Sequence, residues 1–332
     1  LPGNDRFENI ELPFVGKDRI INRIAFDNRG RLWIGTQSSG LIRYDTATRD
    51  VQIFVNIAGD PTTVSSNTIR SVFPDSRGNI WIGTENMGLD RLDDKTRIVK
   101  RFRHDEDNPH SMSNFLVMAM TEDSTGNLWL GTYGNSMIYL DTKTLRFKKY
   151  HKLYSFGNTR LHSILSLSLQ QNRYLWIGSD SEGLFCYDIK SREIKNYREG
   201  NTENTILYNT ISSIFQDNSN NLWIGTLGKG INVLSPFTKE FYSITHEDRG
   251  GLKLDFSSLR GIYEDTDSIT WICGYGGVQR IDLLNKASGL VLRGAIYSIC
   301  PDPLNREILW LGTEGTGIIK FNKKTFNAEY LP

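Results

Sequence analysis

Apolar residues come in short runs along this chain, and each run is closed by a cluster of Asp, Asn, Gly, Ser or Thr. The stretch from Thr68 to Phe102 shows the unit. Thr68-Ile69-Arg70-Ser71-Val72-Phe73 is β-branched and aromatic, and Asp75-Ser76-Arg77-Gly78 follows it with turn residues. Ile80-Trp81-Ile82-Gly83-Thr84 is a second run and Leu89-Asp90-Arg91-Leu92 a third; after the turn Asp93-Asp94-Lys95-Thr96 comes a fourth, Ile98-Val99-Lys100-Arg101-Phe102. Runs of this length between such punctuation predict strands joined as hairpins. The second run is apolar at consecutive positions, so both of its faces must be covered, unlike a sheet with one wet side.

That second run returns along the whole chain. Its tryptophans are Trp33, Trp81, Trp129, Trp176, Trp223, Trp271 and Trp310, all seven that the chain has, spaced 48, 48, 47, 47, 48 and 39 residues apart. A fixed period in this range is the mark of a repeat architecture. The first turn recurs at Asp27-Asn28-Arg29-Gly30, Asp123-Ser124-Thr125-Gly126 and Asp217-Asn218-Ser219-Asn220. A Gly-apolar pair opens the third run at Gly40-Leu41, Gly88-Leu89, Gly183-Leu184, Gly230-Ile231, Gly277-Val278 and Gly317-Ile318, while the third repeat has Ser136-Met137.

Four-stranded antiparallel sheets covered on both faces and repeated seven times predict an all-β protein, a seven-bladed β-propeller. A ring also removes the sticky edges that an open stack would leave. The blades are expected near 20–55, 67–103, 114–151, 161–198, 210–245, 257–292 and 295–331, forming one domain over 1–332. The tryptophans read as structural core, and the glycine after each Trp-Ile or Trp-Leu pair reads as the gap into which the next blade's tryptophan packs. Two segments compete for the last outer strand. Phe7-Glu8-Asn9-Ile10-Glu11-Leu12 is expected to clasp the ring, and Phe326-Asn327-Ala328-Glu329-Tyr330-Leu331 to lead out of it.

Charge and composition narrow the function. Lys and Arg number 39 against 38 Asp and Glu, so the basic field that nucleic acids and anionic membranes need is missing. No apolar run approaches the roughly 18 residues that span a bilayer, and Leu1-Pro2-Gly3-Asn4-Asp5 does not read as a signal peptide. Cys186, Cys273 and Cys300 form no CxxC pair; Cys273 and Cys300 fall in neighbouring repeats and read as small buried residues. No Ser-His-Asp or HExxH pattern occurs, the five histidines are scattered, and His104 to His110 falls where a polar connecting loop is expected. No cofactor, metal site or catalytic residue is therefore expected.

The repeat Gly30-Arg31-Leu32-Trp33-Ile34-Gly35-Thr36 through Gly40-Leu41-Ile42-Arg43-Tyr44-Asp45, with Ser66-Asn67-Thr68-Ile69, resembles the two-component regulator propeller family. The resemblance implies a periplasmic sensor domain of a hybrid two-component histidine kinase of the kind found in gut Bacteroidetes, which detects glycan fragments and regulates polysaccharide utilisation. It further implies a second propeller, a β-sandwich, a membrane helix and kinase output elsewhere in the receptor, a homodimer, and no enzymatic activity or nucleic-acid contact in this piece. Two other readings stand beside it: a scaffold or dimerisation propeller without its own ligand, and a propeller lyase or glycan hydrolase working through carboxylates such as Glu85, Asp180, Glu182 and Glu314.

A ligand is expected on the face carrying the second-to-third strand loops and the blade-to-blade linkers, because those vary while the other turns repeat. The candidates are Asn86, Tyr133, Asn135, Tyr154, Arg160, Asp180, Glu182, Tyr208, Lys229, Tyr275 and Glu314. Tyrosines with amides and carboxylates suit an oligosaccharide, whose ring faces stack on aromatics while its hydroxyls need paired donors and acceptors.

Overall fold

The computed structural model describes residues 12, 19–112, 116–134, 137–150, 155–156, 159–160, 163–200, 205–235, 241–247, 251–266 and 269–331. Seven four-stranded antiparallel sheets follow one another, each with its strands in chain order. The first holds Ile21–Phe26, Arg31–Thr36, Leu41–Asp45 and Val51–Phe54. The first strands of the others are Ile69–Pro74, Val117–Glu122, Ile164–Gln170, Ile211–Gln216, Ser258–Thr266 and Ile296–Pro301. Residues from all seven first strands line one central cavity, so these strands are innermost and the sheets are blades of a closed β-propeller.

The core lies between blades. Seven buried apolar clusters each contain one tryptophan, and each joins that tryptophan's blade to the innermost strand of the next, as Trp33 joins Ile69 and Val72, and Trp310 joins Ile21 and Ile24. Several tryptophans also meet an aromatic on their own blade's outer strand, Trp33 with Phe54 at 5.7 Å and Trp81 with Phe102 at 5.8 Å between ring centroids. The second strand is buried at nearly every position because one side feeds each of two interfaces.

The glycine after the Trp-Ile pair has a different neighbour from the one expected. A Cβ on Gly35 would come 2.8 Å from Ile69, on Gly131 2.4 Å from Ile164, and on Gly312 2.8 Å from Ile21. It is the innermost strand of the next blade, not its tryptophan, that needs the space. The residue paired across the sheet from this glycine is usually serine, as in Ser71 with Gly83 and Ser213 with Gly225. The sixth blade inverts the pair: Cys273 stands opposite Gly261, where a Cβ would lie 2.9 Å from the Cys273 Sγ. Cys273 and Cys300 are free thiols, and burial pushes both up to about 12.

The threonine of the repeat staples the outer loop. Thr36 Oγ1 donates to Gly40 O at 2.8 Å and accepts from Ser39 N at 2.8 Å; Thr226 and Thr313 repeat the first bond to Gly230 O and Gly317 O, each at 2.7 Å. Gly40 sits at φ 74°, where a Cβ would strike Phe54 O at 2.3 Å, so the Gly-apolar signature is a backbone requirement. Asp of the first turn does more than turn the chain. Trp33, Trp81, Trp223 and Trp310 donate their indole N–H to Asp27, Asp75, Asp217 and Asp302 at 2.8–2.9 Å, which removes the cost of burying an unpaired donor.

The ring closes by packing and by backbone bonds. Gly317 N donates to Arg19 O at 3.3 Å, as Gly40 N does to Asn67 O at the first interface. Ala328–Leu331 pairs antiparallel with Ile318–Asn322 and completes the last blade, so the C-terminal segment is an outer strand and not the expected exit. Its turn explains this: Asn322 Oδ1 accepts from Lys324 N and Thr325 N and Phe326 takes φ 59°, much as Asp45 folds the first outer strand back. Most of the expected clasp, residues 7–11, lies outside the described residues, while Leu12 is buried between the last and first blades.

Among the described residues, three blades carry a fully buried polar side chain in the third strand. Asp90, Asn232 and Gln279 are fully buried and accept from Ser65 N, Leu207 N and Asp255 N at 2.7, 2.9 and 2.9 Å, each holding the linker that enters its own blade. Asp90 Oδ1 has no partner among the described residues, and burial pushes this carboxyl up to about 6. Because the folded value lies above the unfolded one, the folded state holds the proton more tightly, and stability falls as pH rises from about 4 through about 6. Asp90→Asn, which places here the amide that Asn232 supplies in the fifth blade, is expected to flatten that slope and to add about 2 kcal/mol near neutral pH. Urea unfolding at both ends of the window checks it; an unchanged slope in the variant assigns the pH dependence elsewhere.

Candidate functional site

Each innermost strand contains a β-bulge at the same place, where the pairing with the second strand skips a residue, and the sixth blade's has a second one further along. The skipped residues are Asn22, Arg70, Met118, Leu165, Ser212, Arg260 and Tyr297. All seven line a single cavity of about 260 Å³ at the loop-face mouth of the channel, with Ile20, Arg23 and Gln37. A bulge takes a residue out of the ladder and re-aims its side chain. Repeated seven times around an axis, it builds a ring of side chains from positions one repeat apart in sequence.

The ring has two unlike sides. Met118 and Leu165, from the third and fourth blades, are apolar. From the sixth blade round to the second it is polar and cationic. Asn22 Nδ2 donates to Gln37 Oε1 at 3.1 Å; Arg70 donates to the same oxygen at 3.1 Å and pairs with Glu85 at 2.7 Å. Across the closure, the Tyr275 and Tyr297 hydroxyls share a hydrogen bond of 2.7 Å, and the Arg260 guanidinium lies 5.1 Å from both ring centroids. Burial, then hydrogen bonds to Tyr275 and Glu314, hold the Tyr297 hydroxyl well above the usual phenol range. The Tyr297 hydroxyl therefore keeps its proton, and either hydroxyl of the Tyr275–Tyr297 pair can donate.

The loop candidates fall into groups. Tyr275 and Glu314 join the mouth through Tyr297. Asn86, at φ 60°, and the exposed Tyr133 lie on the loops of the second and third blades, with Tyr133 N bonded to Leu116 O. Lys229 and Tyr208 belong to a separate cluster: Lys229 Nζ pairs with Glu199 and sits 5.7 Å from the Tyr208 ring centroid. Asp180 O accepts from Thr210 Oγ1, and Glu182 Oε1 accepts from Ser181 Oγ at 2.7 Å. Asn135, Tyr154 and the side chain of Arg160 lie outside the described residues; the Arg160 backbone pairs with Ser155 in a short hairpin. The four carboxylates named for hydrolysis are thus divided, with Glu85 committed to Arg70 and Glu314 to Tyr297.

None of the bulge residues stands out by type. The signal that finds them is the pair of residues between apolar positions of the innermost strand, as in Ile69-Arg70-Ser71-Val72, where a regular half-buried strand would have one.

Residues 16–38, 63–86, 111–134 and 205–228 match the family described as two component regulator propeller. No curated protein sequence matches the chain at a significant level. Among solved structures, the extracellular domain of the hybrid two component system BT3049 from B. thetaiotaomicron is similar at 18% identity and a TM-score of 0.59, over 93% of this chain and 45% of that one. The extracellular domain of BT4673 from the same organism is similar at 21% identity and a TM-score of 0.52, over 92% and 47%. Virginiamycin B lyase from Staphylococcus aureus is similar at 16% identity and a TM-score of 0.69, over 91% and 94%. At these identities the likeness is one of fold. The chain spans about half the length of the B. thetaiotaomicron domains it resembles.

Proposed function

The chain carries two component regulator propeller repeats, and from that premise we propose that it is a ligand-sensing propeller in the extracellular, periplasmic part of a hybrid two-component receptor. The ligand is an oligosaccharide, and the output regulates polysaccharide utilisation. The observation that carries the reading is the amphipathic channel mouth: Met118 and Leu165 face Arg70, Arg260 and Tyr297 around one opening. A sugar ring has the same division, with apolar faces and hydroxyl edges. The chain spans about half the length of the B. thetaiotaomicron extracellular domains; in this reading a second propeller and a β-sandwich belong to the same receptor, and two copies of it pair. Signalling follows only if the ligand favours one arrangement of these parts over another.

Thermal unfolding of the chain against plant, host and microbial oligosaccharides tests the reading. A ligand at a hundred times its Kd adds about 2.7 kcal/mol to the native state, which raises Tm detectably. No shift with any glycan would favour a scaffold or dimerisation propeller. In the full receptor, Tyr275→Ala is expected to abolish the glycan response while leaving the fold intact, because Tyr275 braces Tyr297 and Arg260 at the mouth. An unchanged response sinks the sensing role of this propeller. Product formed from a glycan and lost on a single carboxylate change would make it a lyase or hydrolase instead.

A further inference from the structure

Three arginines line the channel and its mouth, and no carboxylate does among the described residues. Arg70 has its charge answered by Glu85 on the rim. Arg23 and Arg260 have no such answer among the described residues. Arg23 stands opposite Gly35 at the position that holds serine in four other blades, so a long cation occupies a place the repeat keeps small. It is partly exposed and lines the channel, and the charged or ionisable groups acting on it are Arg260 and the Cys273 thiol. Arg260 Nε is buried without a partner among the described residues, its NH2 group makes only a long 3.4 Å contact with Tyr275 Oη, and its guanidinium lies 5.1 Å from both tyrosine ring centroids. On that side the rim carboxylate Glu314 acts on the Tyr297 hydroxyl.

Two like charges enclosed together without a counter-charge are costly, and an anion between them removes both the repulsion and the unmet donors. The geometry points to an oxyanion site in the channel, held between Arg23 of the first blade and Arg260 of the sixth, the latter packed against the Tyr297 ring of the seventh. Its ligand is a compact carboxylate or sulfate group. Guanidinium forks match both groups, and a cavity of about 250 Å³ below the mouth leaves room for little more than one sugar ring. Such a group would tie the sixth, seventh and first blades together across the ring closure. The inference deepens the sensing reading by making the glycan an acidic one, and it rests on the same channel mouth.

Isothermal titration of the whole chain at low ionic strength with galacturonate, inorganic sulfate and galactose tests it. Galacturonate or sulfate is expected to bind and galactose is not; which of the two binds tells carboxylate from sulfate. Arg23→Ser, the residue of the other blades, and Arg260→Met, the residue that Met118 supplies at this place in the third blade, are each expected to weaken anion binding by at least about tenfold. Arg260→Met keeps the test alive should Arg23→Ser fail to fold. Failure of both anions to bind, or equal binding by a folded variant, overturns the site. If both anions fail while a neutral oligosaccharide raises Tm, the oxyanion site is wrong and the sensing reading stands.

Discussion

Trp223→Ala is expected to lower the free energy of unfolding by about 4 kcal/mol, among the largest effects available to one side chain here. Trp223 is fully buried and packs with Leu259 and Ile262 of the next blade, so its loss opens a cavity at an interface. It also strips Asp217 Oδ2 of an indole donor at 2.8 Å, leaving that buried oxygen with Asn221 Nδ2 alone. The two contributions separate by comparison with the sixth blade, where Trp271 is equally buried but its Nε1 has no partner among the described residues. Trp223→Phe should therefore cost about 1–2 kcal/mol more than Trp271→Phe. Urea unfolding of both variants measures it. Equal losses would mean that the Asp-indole bond contributes nothing net and that the tryptophans act by volume alone.

Gly83→Ala is expected to destabilise by about 3 kcal/mol although it adds a single methyl group. The new Cβ would lie 2.2 Å from Ser71 Oγ and 2.3 Å from Val117 O, and Ser71 already donates to that carbonyl at 2.7 Å. The serine can rotate, but the carbonyl belongs to the third blade's innermost strand, so relief requires two blades to move apart. Gly289→Ala is the control. A Cβ there meets nothing within 4 Å, so the change should be neutral or stabilise by up to about 1 kcal/mol by restricting the unfolded chain. Similar Tm values for the two variants would show that the blade interface is loose enough to absorb a methyl group, and that the glycine recurs for another reason.

Most of the fold is legible in the sequence because most of its rules are local. Asp27 with Gly30, Thr36 with Gly40 and Asp45 with Thr48 are contacts within one turn, and each leaves residues of fixed type at fixed spacing. Apolar residues at consecutive positions of Arg31–Thr36 announce a strand buried on both faces. The seven-fold period then leaves a ring as the arrangement that covers every sheet. The outer strand of the last blade was less legible, since Phe7–Leu12 and Phe326–Leu331 have the same pattern, and only the Asn322 turn places the second one.

The candidate site was the least legible part. Reading recognition from variable loops singles out Tyr275, which bonds Tyr297 at the channel mouth, but it passes over Arg23, Arg70 and Arg260, which lie inside strands. Arg260 in isolation is an ordinary strand cation. It becomes part of a site because a bulge turns it out of the ladder and ring closure sets it across from Arg23, more than 200 residues earlier in the chain. Strands, turns, blade count and tryptophan core could all be read from residue order, since they depend on neighbours along the chain and on a period. Which face of each innermost strand looks into the channel, and which charges meet there, emerged only once the chain was folded. That outcome depends on the bulge, which each repeat carries, and on closure of the ring, which no single repeat encodes.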